Sequence, residues 1–154
     1  MLRVTSPAFE DNERIPERYT RDGGNVSPPL KWRDAPQTTR SFALIVEDSD
    51  ASGGTFRHWV AYNVPATYTG MPEGAGTAQA AAIDIAANDF GNRCYDGPAP
   101  PHGHGLHHYH FRLLALDVPR LDIRPGSASV MDVIAAARPH TLASGEIVGL
   151  YERP

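Results

Sequence analysis

The sequence lacks what several large classes of protein need. Cys94 is the only cysteine in 154 residues, so no intrachain disulfide can form and a thiolate-rich zinc site is excluded. No apolar stretch approaches the roughly 18 residues of a membrane-spanning helix, and the opening Met1-Leu2-Arg3-Val4-Thr5-Ser6-Pro7 has no signal-like apolar run. This predicts a cytoplasmic protein with no membrane insertion. Basic clusters are missing too: the formal net charge is -4 and the pI near 5.9, so nucleic acid is not an expected partner. Neither Gly-x-Ser-x-Gly nor Ser-x-x-Lys occurs, which removes the common signals of an activated serine.

What is present is punctuation and histidine. Fourteen glycines and fourteen prolines break the chain into short aromatic and β-branched segments, which favours strands over long helices. The chain has the length of one domain, 1–154, able to bury about two thirds of its unfolded surface. Strands are expected at 2–6, 41–47, 57–64, 107–117 and 146–151, joined by long Gly/Pro-rich connections that suit a β-sandwich with crossovers between sheets. One helix is signalled by the capping-box-like Ser129-Val130-Met131-Asp132, with Val130, Val133, Ile134 and Ala137 on one helical stripe. Residues 74–88 are rich in small side chains and aperiodic, and read as a surface excursion.

Five of the seven histidines fall between His102 and His110, and three chemistries compete for them: a transition metal, catalysis or an anion pocket. Strand alternation divides the set, with His107, Tyr109, Phe111 and Leu113 on one face and His108, His110 and Arg112 on the other. Phe111 and Leu113 mark the first face as interior, which leaves His108 and His110 solvated. Upstream, Phe42, Leu44 and Val46 line one face of a strand that ends in Glu47-Asp48-Ser49-Asp50. After a glycine turn the next strand starts at His58 and continues with Val60, Tyr62 and Val64 on the same face. That spacing permits Asp48 or Asp50 to accept one imidazole N–H of His58 and fix its tautomer. A metal would need His102-x-His104 or His108-x-His110 plus a carboxylate, and no third ligand is placed by spacing. A hydrolase would need Ser49 or Ser52 as nucleophile near His58.

Together, these blocks resemble the phosphatidylethanolamine-binding protein family, in its short bacterial branch. The resemblance is carried in order by Asp22-Gly23-Gly24-Asn25-Val26-Ser27-Pro28-Pro29-Leu30-Lys31-Trp32, Asp48-Ser49-Asp50-Ala51, His58-Trp59-Val60-Ala61-Tyr62-Asn63-Val64-Pro65, Tyr95-Asp96-Gly97-Pro98-Ala99-Pro100-Pro101-His102-Gly103 and His107-His108-Tyr109-His110-Phe111. It implies a mainly β fold, an antiparallel β-sandwich of two sheets with Greek-key links, one or two short helices and a small pocket for phosphate-like anions or phospholipid head groups. The pocket residues it carries over are Asp48, Asp50, His58, Ala99, Pro100, His107 and Tyr109. No catalytic residue, metal or cofactor is expected. The implied function is non-enzymatic binding of a small anionic ligand, with regulation of a protein partner. A hydrolase with a His58/Asp48/Asp50 general base and an inhibitor of a kinase or peptidase are the alternatives.

Two departures from the family pattern set further expectations. The family stretch Asp-Pro-Asp-Ala-Pro is here Asp48-Ser49-Asp50-Ala51-Ser52, so the cis proline bond of relatives gives way to a trans Ala51–Ser52 bond with Asp50 turned elsewhere. The sequence also ends at Pro154, directly after the last expected strand. Longer relatives continue there into a helix, so their signalling roles are not carried over, and a homodimer is expected instead.

Overall fold

A computed structural model describes residues 1–77, 83–124 and 128–154. Among these residues nine strands run β1 (Arg3–Thr5), β2 (Glu13–Arg14), β3 (Leu30–Arg33), β4 (Ser41–Asp48), β5 (Phe56–Pro65), β6 (Gly70–Met71), β7 (Asp84–Ile85), β8 (His107–Leu116) and β9 (Thr141–Tyr151), with one α-helix, α1 (Val130–Ala137), between β8 and β9. They form a three-stranded sheet, β1-β3-β6, and a six-stranded sheet, β2-β9-β8-β4-β5-β7. The chain leaves β5 for the small sheet, returns at the β7 edge and crosses to β8 on the other side of β4. The expected sandwich is present, with one exception to its antiparallel order: the two-residue β2 runs parallel to β9.

The centre of the large sheet is covered on both faces. Toward the small sheet, Phe42, Leu44, Val46, Trp59, Phe111 and Leu113 join Leu30 and Trp32 in the main core. On the reverse face, Ala43, Ile45, Val60, Tyr62 and Leu116 pack against Val130, Val133 and Ala137 of α1. Every residue of β4 is therefore buried, and its near-continuous apolar run replaces the alternation of a half-exposed strand. β8 keeps alternation at its start, where His107 and Tyr109 are buried and His108 is exposed.

Alternation fails in β5. Val46 pairs with Trp59 but Glu47 pairs with Arg57, and Phe42 pairs with Val64 but Leu44 with Ala61. The extra residues at these register shifts are bulges, the second containing Asn63 in the left-handed region at φ 54°. Each bulge reverses the facing of the residues beyond it. Val60 and Tyr62 consequently lie in the reverse core and Val64 in the main core, so the expected common face from His58 to Val64 does not exist.

The excursion expected at 74–88 is also corrected where it is described. Asp84 and Ile85 pair with Tyr62 and Ala61 as a sheet edge, and Ala86 and Asn88 are buried; residues 78–82 of that stretch lie outside the described residues. The short strands β2, β3, β6 and β7 add to the five expected from sequence. Helix α1 has both halves of its capping box, Asp132 N–H to Ser129 Oγ at 3.2 Å and Ser129 N–H to Asp132 Oδ2 at 3.0 Å. Ser129→Ala should cost about 1 kcal/mol and lower the melting temperature by about 3 °C, read by calorimetry, because it removes the acceptor for one orphan helix N–H.

Candidate functional site

β4 ends and β8 begins side by side, with Asp48 paired to Tyr109 and Glu47 to His110. Asp48 is thereby set facing the main core, where its carboxylate cannot be left to water. One oxygen accepts His107 Nδ1–H at 2.6 Å and the other accepts Asp50 N–H at 2.8 Å. Both side chains are almost wholly inaccessible, 2% for His107 and 5% for Asp48. The second ring nitrogen of His107 lies 2.6 Å from His104 Nδ1, so the two rings share a proton and neither nitrogen of His107 is left over.

The first bulge of β5 brings His58 to the same end of the sheet. Its partner is neither Asp48 nor Asp50. His58 Nδ1–H donates to the Asp96 carbonyl at 2.8 Å, and the Asp96 N–H returns to the His58 carbonyl at 3.1 Å. Asp96 is itself anchored, its carboxylate accepting Asn88 Nδ2 at 2.8 Å and Asn92 Nδ2 at 3.0 Å. Burial works to raise the Asp96 pKa, but these amide donors together with Asn25 hold it below its usual value. Gly97 comes next, in a close crossing where a Cβ would stand 2.3 Å from the Tyr19 carbonyl oxygen, and its N–H donates to Asn25 Oδ1 at 2.7 Å. Arg153 reaches the Pro100 carbonyl at 3.4 Å while pairing with Asp22, so the loop beyond is tied to both ends of the chain.

These elements enclose a cavity of about 160 Å³, the bulk volume of roughly five waters. Asp48, His58, Ala99, Pro100, His107 and Tyr109 line it, six of the seven residues carried over from the family pattern. Ala51, Ser52, Phe56, Phe90 and Pro101 complete the wall; sequence reasoning placed none of them in the pocket. Phe56, Phe90 and Tyr109 meet the His58 ring edge-on at centroid distances of 5.2, 5.5 and 5.3 Å. Asp50 is not in the lining. It turns to the exposed face of β8, where its Oδ2 accepts both the backbone N–H and the ring Nδ1–H of His108 at 2.7 Å. The peptide bonds of the described residues are all trans, Ala51–Ser52 included.

Besides the hydroxyl of the exposed Ser52, two polar atoms of the cavity wall are left over. The Tyr109 hydroxyl is buried with no hydrogen-bond partner, and the buried His58 ring bonds through Nδ1, leaving Nε2. Burial lowers the His58 pKa. Burial first, then the nearby Asp48 carboxylate, push the Tyr109 phenol far above its ordinary range. At neutral pH the pair therefore offers one O–H donor and, since Nδ1 carries the His58 proton, one nitrogen lone pair.

The outer histidines have partners as well. His110 donates Nδ1–H to Glu146 at 2.7 Å and lies 3.0 Å from Ser49 Oγ through its other nitrogen. That serine, histidine and carboxylate stand in the order of a hydrolytic triad, but they occupy the outer face and none of them lines the cavity. His102 touches the Pro154 carbonyl at 3.4 Å.

With this geometry in view, comparison with known proteins decides the family. The family model for phosphatidylethanolamine-binding protein matches residues 5–152. The chain belongs to that family. It is 43% identical over 155 residues to a UPF0098 protein of Pyrococcus horikoshii, covering 99% of this chain and 77% of that one. It superposes on the crystal structure of Escherichia coli YbcL, described as a member of the mammalian PEBP family, with a TM-score of 0.92 at 32% identity over 99% of both chains. A Mycobacterium tuberculosis relative, 37% identical over 98% of this chain and 72% of its own length, is named as a candidate lipoprotein, LppC. No helix among the described residues is long and apolar enough to cross a membrane.

The two histidines that open β8 should behave differently. His107→Ala strands a buried carboxylate and should cost about 3 kcal/mol in urea unfolding. His108→Ala breaks an exposed pair, 48% and 40% accessible, and should cost under about 1 kcal/mol. Equal losses would mean that the facing of β8 is other than described.

Proposed function

We propose that this protein is a non-enzymatic binding protein for a small oxyanion, a free phosphate or the phosphate of a phospholipid head group. The observation that carries this reading is the pairing of two uncommitted polar atoms on buried residues, His58 Nε2 and Tyr109 Oη, in an aromatic cavity. Its volume of about 160 Å³ admits a head group and leaves no room for acyl chains. Ser52 shares the cavity wall with His58, but no hydrogen bond joins its hydroxyl to that ring, whose Nδ1 is bonded to the Asp96 carbonyl instead, which weighs against a covalent route. A general-base hydrolase at His58 is the competing reading; the carboxylate it invoked to orient the ring is replaced by the Asp96 carbonyl.

Binding an anion here takes up a proton. With Nδ1–H committed to Asp96, Nε2 becomes a donor only when the ring is cationic, and burial holds the free ring neutral at pH 7. Phosphate affinity therefore rises as pH falls, by about tenfold per unit above the folded-state pKa of His58. For the ligand-free protein the sign is opposite. A histidine with a depressed folded pKa contributes stability that is present above its unfolded value, near 6.5, and lost as pH falls through the folded one.

Titration calorimetry with inorganic phosphate should give a dissociation constant between roughly millimolar and micromolar, about 4–8 kcal/mol of binding free energy. Buffers of different ionisation enthalpy should report uptake of about one proton, and His58→Ala should abolish the heat. Phosphoethanolamine and lipid vesicles, run in parallel, separate a free anion from a membrane head group. No heat with any of them, or turnover of phosphate or carboxylic esters lost in His58→Ala, would overturn the proposal.

A protein partner and a homodimer belong to the same proposal. Phe90 in the cavity wall and Leu106, directly before His107, are 38% and 49% exposed, apolar surface that a partner would cover. The cytoplasm is the proposed compartment, and the lipoprotein name of one relative is the observation against it.

A further inference from the structure

We propose that the reverse face of the large sheet holds a second binding site, for a small organic oxyanion with an apolar body. The site is built around Glu47, the residue before Asp48 in β4, which points to the opposite face because strand side chains alternate. Its side chain is only 8% exposed. One oxygen accepts Arg57 Nε–H at 3.2 Å and the other accepts Arg112 Nη2–H. A buried carboxylate needs such partners, but one guanidinium neutralises it; the second is in excess.

A third lies beside them. Arg57, Arg112 and Arg138 line one cavity of about 500 Å³ together with Glu47, a volume within the usual range of small-molecule sites. Ile45, Leu114 and Ile134 give it an apolar wall. Two further carboxylates stand nearby, and neither is bonded to a guanidinium of this cluster. Glu146, opposite Arg112 in the β8–β9 register, accepts from His110 at 2.7 Å, and Asp89 accepts the backbone N–H of Arg57 at 2.8 Å. Among the described residues Arg138 has no ion pair, and the remaining N–H donors of Arg57 and Arg112 have no acceptor.

Within the cavity lining three guanidiniums face one carboxylate, a local surplus of positive charge in a chain whose overall charge is -4. Glu47 holds two of the forks in place, so an incoming oxyanion meets oriented donors rather than flexible ones. Guanidinium forks match carboxylate and phosphate oxygens in pairs, and the apolar wall takes an aliphatic or aromatic body. This site is independent of the His58 cavity and of the function proposed for it.

The test is a ¹H–¹⁵N NMR titration at low salt with phenyl phosphate and, separately, phenylacetate, with benzyl alcohol as the uncharged control. Saturable shifts are expected at Ile45, Arg57, Leu114 and Ile134, retained in His58→Ala, absent with benzyl alcohol, and weakened roughly tenfold in Arg138→Gln. The tighter of the two anions names the head group. Arg138 makes no bond to Glu47, so its replacement leaves the Glu47 cluster intact, and unchanged spectra elsewhere confirm the fold. No saturable shift with either anion, undiminished affinity in Arg138→Gln, or equal binding of benzyl alcohol would overturn the proposal.

Discussion

Two consecutive carboxylates at the end of a strand covered on both faces constrain the rest of this molecule. Glu47 and Asp48 close β4, all of which is buried, and neighbouring strand residues must point to opposite sides. Each carboxylate is taken from water, a transfer that costs several kcal/mol unless hydrogen bonds replace hydration. Asp48 finds His107 and the Asp50 N–H on the inner side; Glu47 finds Arg57 and Arg112 on the outer. The polar architecture of both faces arises from satisfying these two groups back to back.

On the inner side the result is a cavity in which almost every polar atom is already engaged. His107 commits both ring nitrogens, to Asp48 and His104, and acts as a support rather than as a spare donor. His58 commits one, to the Asp96 carbonyl. That single commitment governs the chemistry of the site, because it fixes which nitrogen carries the proton of the neutral ring. The amides of Asn88, Asn92 and Asn25 on the Asp96 carboxylate keep the whole loop, and with it the His58 tautomer, in one arrangement.

Membership of the phosphatidylethanolamine-binding protein family is secured by a match over residues 5–152 and by the superposition on YbcL, but a fold hosts many functions and the ligand has to be argued from the site. The histidine-rich segment shows the distinction. Of its five members His107 lines the cavity, while His108 and His110 pair with Asp50 and Glu146 on the outside. Histidine density alone would have suggested one shared site; the facing of β8 distributes the rings between two environments.

The sequence by itself determined the family, the sandwich, the capping box of α1 and the facing of β8, because each rests on local order: motif blocks, an N-cap three residues from its partner, unbroken period-two alternation. Tertiary structure alone decided the rest. Alternation misplaced His58 relative to Val60 and Val64 because bulges in β5 depend on register with β4, which no local pattern encodes. Spacing offers His58 the nearby carboxylates, but its partner is a carbonyl 38 residues away, delivered by a loop that Asn88 and, from farther along the chain, Asn25 and Arg153 hold in place. Asp50 is two residues from Asp48 in sequence, yet the turn after β4 sends its side chain to the exposed face. Whether a side chain enters a site depends on register and on which chain segments close over it, and both are properties of the assembled sheet rather than of the strand.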